Sequence, residues 1–109
     1  CPKCGKPMTM NLRSDEKFVE DSGWRKAAGR YNNFLHEYAN KHILFLELGV
    51  GNNTPVIIKY PFRMMTADNK KAIYASVNIN ETTAPVRIDD RSIYINEDIL
   101  KVIKDLISF

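Results

Sequence analysis

The chain has 109 residues, of which 44% are hydrophobic and 27% charged, which fits one modest globular domain and excludes wholesale disorder. The net charge is only +3, and Lys3, Arg13, Arg30 and Lys70 are scattered among acidic residues, so no polybasic run marks a nucleic-acid surface. No apolar run is long enough to span a membrane and no secretory leader is present, and Cys1 and Cys4 are too close to staple a secreted fold, so a reducing, cytoplasmic setting is expected.

Residues 1–9 are rich in Cys, Pro, Gly and Lys and predict a turn, with a short strand leaving it over residues 8–12. Residues 14–22 are charged and read as irregular. Asp21 or Ser22 can then cap a helix, because a short side-chain oxygen accepts from a free first-turn N–H. Trp24, Ala27, Ala28, Tyr31, Phe34, Leu35 and Tyr38 recur at spacings of three and four, which predicts a packing face, and Asn40 is a plausible stop. Residues 43–48 (ILFLEL) form a short apolar run of the kind that makes a buried parallel strand. Glu47 interrupts that run and is expected to be buried, with a backbone amide as one way to satisfy it. Thr54 as cap and Pro55 at the first helical position predict a helix straight after the glycines, and Pro61 limits its regularity. Residues 72–77 (AIYASV) read as a second buried strand. Pro85 and the pair Asp89 and Asp90 mark loops, and residues 92–95 form a third strand. Asn96 can cap a last helix with an apolar face of Ile99, Leu100, Val102, Ile103, Leu106 and Ile107. This order predicts an α/β fold with about three parallel strands and covering helices.

Two motifs carry chemistry. The first is Cys1-Pro2-Lys3-Cys4-Gly5, which sets two thiols on one tight turn, where both sulfurs can face one ion. Zinc takes four ligands, and the sequence has no further cysteine, so this is half of a structural site completed from elsewhere. A free cysteine pair and a redox pair stay open as alternatives, although the prolines on either side make a poor helix start for redox work. A metal knuckle at the first residue, without a lead-in methionine, predicts a piece of a longer chain. The second motif is the loop Gly49-Val50-Gly51-Asn52-Asn53 after the first strand. Glycines let a backbone approach a ligand closely, and free N–H groups there favour a phosphate at the carboxyl end of a parallel sheet. Asn78 ends the next strand, where an amide can serve a ribose, although a strand-end cap accounts for it equally. A tight connection that binds nothing also stays open for the glycine loop.

In this order, CPKCG, LFLELGVGNNTP, SVNIN, a short strand and a final amphipathic helix resemble the carboxy-terminal half of a sirtuin. The resemblance covers essentially the whole chain. It implies half of a zinc knuckle with an exit strand over residues 1–13 and, over residues 14–109, the carboxy-terminal half of a Rossmann-like NAD-binding domain. Cys1 and Cys4 match the second cysteine pair of the family's structural zinc, and Gly49, Val50 and Gly51 stand where sirtuins carry Gly-Thr-Ser. On this likeness Gly49, Val50, Gly51 and Asn53 hold NAD, Asn78 holds the adenosine ribose, and Asp98 meets adenine through its backbone. Arg13 lies on the segment that runs past the active cleft and could steady a phosphate or an acidic acceptor, which makes it the catalytic candidate. A solvated surface arginine is its plain alternative. Residues 8–13 and the segment IIKYPF depart from the usual sirtuin and resemble the divergent microbial class linked to macrodomains. That class implies ADP-ribosyl transfer from NAD to a protein acceptor, a lipoyl-carrier protein among them, more than lysine deacylation. A non-catalytic zinc-knuckle binding module is the competing reading of another kind. The family's first cysteine pair, first glycine-rich NAD loop and catalytic segment would precede Cys1, so residues 1–109 alone are expected to be inactive.

Overall fold

The structure is a computed structural model that describes residues 1–53, 55–79 and 86–108. It forms two compact units, Cys1–His36 and Glu37–Phe109.

In the first unit, Gly5 N–H donates to the Cys1 carbonyl at 2.8 Å and Gly5 takes φ +68°, closing a tight turn. The strand expected over residues 8–12 does not form. Asn11 instead braces the backbone of Val19 from both sides: its amide nitrogen donates to the Val19 carbonyl at 2.9 Å, and its oxygen accepts from the Val19 N–H at 2.8 Å. The Val19 N–H and carbonyl are thereby paired by a side chain and not by a neighbouring strand. Helix α1 covers Ser22–Glu37. Asp21 is its cap, accepting from the Trp24 N–H at 2.8 Å. The periodicity that predicted α1 is that of an amphipathic helix, but α1 buries none of its residues, and Trp24, Tyr31 and Phe34 keep 43%, 48% and 47% of their surface. The apolar stripe is therefore a face and not a core.

The second unit carries the sheet. Strands β1 (Ile43–Leu48), β2 (Ala72–Val77) and β3 (Ser92–Ile95) lie side by side in that order, all parallel. Their bounds are those predicted from short apolar runs between turn residues. Leu48 pairs with Val77 and Val77 with Ile95, so the three strands finish flush. Helix α2 (Lys59–Asp68) joins β1 to β2, a 3-10 helix (Val86–Arg91) enters β3, and α3 (Ile99–Ile107) follows β3. The pair Asp89 and Asp90, read as loop, belongs to that 3-10 helix.

One face of the sheet is covered. Phe45 and Tyr74 meet α2 and the 3-10 helix together with the buried Ile88, and the Phe45 and Phe62 rings lie 5.1 Å apart. The opposite face presents Leu44, Leu46, Ile73 and Ile93, all exposed. Arg91 binds the end of α2, where its guanidinium donates to the carbonyls of Thr66 at 2.6 Å and Asn69 at 2.9 Å. These acceptors belong to the last turn of a helix and the residues after it, which lack partners inside the helix.

Two helix starts differ from expectation. Helix α2 begins at Lys59 and not at Pro55, and Ile58 at its cap makes no side-chain bond. Residues 55–58 form turns, closed by Tyr60 N–H on the Pro55 carbonyl at 2.9 Å. Pro61 then sits in the first turn, where a missing N–H costs nothing. Thr54, Asn80 and Pro85 lie outside the described residues. Helix α3 is capped by Asp98 rather than Asn96, the Asp98 carboxylate accepting from the Lys101 N–H at 3.1 Å.

Candidate functional site

The flush ends of the strands build a rim from Gly49, Asn78 and Asn96, each the residue that follows a strand. The sheet ladder runs on into it: Gly49 N–H donates to the Val77 carbonyl at 2.9 Å and Asn78 N–H to the Ile95 carbonyl at 3.1 Å. The Asn78 side chain crosses to the glycine loop and donates to the Val50 carbonyl at 3.2 Å. Gly49 adopts φ +66°, and a Cβ there would stand 3.1 Å from the Ile99 Cδ1 of α3. The structure thus brings Gly49, Val50, Asn78 and the start of α3, with Asp98, to one edge of the sheet.

The two glycines differ in kind. Gly49 is required by the fold, through its backbone angle and Ile99, and its N–H is already spent on the sheet. A Cβ on Gly51 would meet nothing within 4 Å. Gly51, Asn52 and Asn53 are exposed and make no hydrogen bond among the described residues, so their N–H groups and amides can take a ligand. This open cradle fits an anion such as a pyrophosphate. The helix start lies further along at Lys59, so loop amides, rather than an adjoining helix terminus, are what the cradle offers. Among the described residues the Asn78 amide braces Val50 and makes no further bond, so its oxygen and second N–H are open to a polar ligand. The backbone of Asp98 is engaged on both sides: its N–H donates to Glu97 Oε1 at 2.9 Å, and its carbonyl accepts from Val102 N–H at 3.1 Å. An adenine contact through the Asp98 N–H would have to displace the exposed Glu97 carboxylate.

Below the rim lies a polar cluster. Glu47 is 2% exposed and Lys59 fully buried. Glu47 Oε1 accepts from Lys59 Nζ at 2.5 Å, Tyr74 Oη at 2.6 Å and Ser76 Oγ at 3.0 Å. Burial first, and then the bond to Glu47, push the Tyr74 hydroxyl well above the usual tyrosine range, so it remains a donor. Sequence reasoning placed Glu47 in the interior but not its partners. Its satisfaction comes from side chains, and the signal for the cation was a lysine in an otherwise apolar turn.

The remaining candidates lie in the first unit. Arg13 donates to Glu20 at 2.6 Å and stands 4.4 Å from the centre of the Phe18 ring, with its side chain largely exposed. Cys1 and Cys4 are free and exposed. Among the described residues no group of three or more His, Cys, Asp or Glu could hold a metal, and no helix is long and apolar enough to cross a membrane. Two thiols on one turn fit half of a zinc ligand set.

No family model matches the chain. A curated protein ADP-ribosyltransferase of Staphylococcus aureus is 40% identical over 104 residues, which is 94% of this chain and 33% of that relative. The chain therefore spans about a third of the length of the curated relative it matches.

Proposed function

We propose that this chain supplies part of the nucleotide site of a sirtuin-like enzyme, of the macrodomain-linked microbial kind, that transfers ADP-ribose from NAD to a protein acceptor. The observation that carries this reading is the 40% identity, across nearly the whole chain, to a protein named for that reaction. The rim supports it, because an open glycine loop and an asparagine meet at the carboxyl ends of parallel strands, where nucleotides bind in such folds. NAD, when bound, supplies the activated ADP-ribosyl group. Gly51 and Asn53 offer loop amides to the pyrophosphate, Gly49 and Val50 shape the loop, and Asn78 holds the ribose. The start of α3 at Asp98 borders the adenine.

In the same reading Arg13 steadies a phosphate or an acidic acceptor, and Cys1 and Cys4 give two of the four ligands of a structural zinc. The exposed cysteine pair supports the second assignment. Residues 1–13 then form the half knuckle and residues 14–109 the nucleotide-binding part. The acceptor fits a lipoyl-carrier protein by resemblance to that class.

The test is to incubate the full-length protein that carries these residues with NAD and a lipoylated carrier protein, then follow nicotinamide release and the carrier's mass. The expected result is release that depends on the acceptor and a carrier heavier by one ADP-ribosyl group. Release coupled instead to loss of acyl groups from lysine would assign deacylation. No turnover of NAD with any acceptor would overturn the proposal.

A further inference from the structure

The buried pair Glu47 and Lys59 is not used by the reading above, yet its placement is specific. Glu47 lies two residues before Gly49 on β1, and Lys59 is the first residue of α2, where the loop ends. The pair thus bridges 12 positions and closes the loop at both ends. Ser76, which shares the Glu47 oxygen, lies two residues before Asn78. One carboxylate therefore connects the strand before the glycine loop, the helix after it and the strand that delivers the ribose asparagine. A buried ion pair is a weak source of stability, and apolar side chains of similar size often serve the fold as well. What the pair adds is direction, since three donors converging on one oxygen fix the relative positions of three segments.

We propose that Glu47 and Lys59 form a positioning latch, which holds residues 49–53 in the shape that receives the pyrophosphate. The proposal rests on reading that loop as a nucleotide cradle. Neither residue touches the nucleotide; both act through the loop backbone. With the latch open, the Asn78 bond to Val50 is the one brace that residues 50–53 keep among the described residues, and the cradle samples shapes that bind poorly.

The experiment uses the native protein with ADP-ribose as the probe. Lys59→Met removes the cation. The double variant Glu47→Gln with Lys59→Met also removes the stranded charge, and so keeps the fold where the single variant loses it. Affinity is read by calorimetry and loop order by backbone 15N relaxation. In a folded variant the Kd for ADP-ribose is expected to rise at least tenfold, with order parameters at residues 50–53 falling to below about 0.6 and those across β2 unchanged. A double variant that folds and binds within twofold of the parent overturns the latch. If the parent itself binds no ADP-ribose, the nucleotide reading fails and the latch falls with it; if the parent binds and the order parameters at residues 50–53 of the folded double variant match the parent's, the latch alone is overturned.

Discussion

Gly49→Ala separates what the fold needs from what a ligand needs. Gly49 has φ +66°, in the left-handed region that costs an ordinary residue about 1–2 kcal/mol. Its new Cβ would lie 3.1 Å from the Ile99 Cδ1, the tip of a side chain that can yield by a few tenths of an ångström. Moving Ile99 off its preferred rotamer adds about 0.5–1 kcal/mol. The variant should therefore lose ~1.5–3 kcal/mol in urea unfolding. Ile99→Val removes Cδ1, so the double variant should recover the steric share and leave the backbone share, which a double-mutant cycle reads directly. Gly51→Ala is the control: with nothing near its Cβ, it should change stability by less than about 0.5 kcal/mol. If the loop cradles a pyrophosphate, this second variant still weakens ADP-ribose binding, because the methyl group enters the space a ligand would fill. A Gly49→Ala variant as stable as the parent would refute the reasoning, as would a Gly51→Ala variant that unfolds.

Two further outcomes follow from the same geometry. Arg91→Met should cost about 2–3 kcal/mol in denaturant unfolding, because charge-assisted bonds to the Thr66 and Asn69 carbonyls are lost together at the end of α2; a loss under ~0.5 kcal/mol would show that water replaces the guanidinium freely. The bond from Lys101, joined by the Asp98 N–H, holds the Glu97 carboxyl below the usual glutamate range. A lowered folded value means that the contribution is present above the ordinary glutamate pKa and is lost as pH falls through the folded value. NMR titration should therefore find Glu97 still ionised where an ordinary glutamate is half protonated, and Lys101→Met should return it towards the ordinary range.

The sheet was fully legible. The runs ILFLEL, AIYASV and SIYI are short, apolar and bounded by turn residues, and each became a strand over the expected residues. Helix starts were legible to within a residue or two where the cap is local. Of the expected pair Asp21 and Ser22, it is the Asp21 carboxylate that reaches an N–H three residues on, and Asp98 does the same for α3 two residues after the expected Asn96. Helix α2 was misplaced because Thr54-Pro55 has the composition of a helix start, while the chain makes turns over residues 55–58 before Lys59 can pair with Glu47. That pairing lies 12 positions away in sequence, and no periodic pattern reports it. The α1 stripe illustrates the opposite case. Its spacing predicted the helix correctly, but spacing defines a face without saying what covers it, and Trp24 and Tyr31 remain exposed.

The candidate site divides along the same line. The placement of Gly49, Val50 and Asn78 at one edge was legible because they follow strands, and a flush parallel sheet sets such residues side by side whatever else the chain does. Their individual duties were not legible, because duty depends on which groups are already engaged. The Gly49 N–H extends the ladder and one Asn78 donor braces Val50, so among the described residues the groups left open are those of Gly51, Asn52 and Asn53 and the rest of the Asn78 amide. A motif read as one uniform glycine loop is thus two parts. One glycine turns the chain away from the sheet, and the other leaves room beside an exposed backbone. The second part is the one whose chemistry suits a phosphate, and its shape is held from beneath by Asn78 and by the Glu47 and Lys59 pair, neither of which a phosphate-binding fingerprint contains.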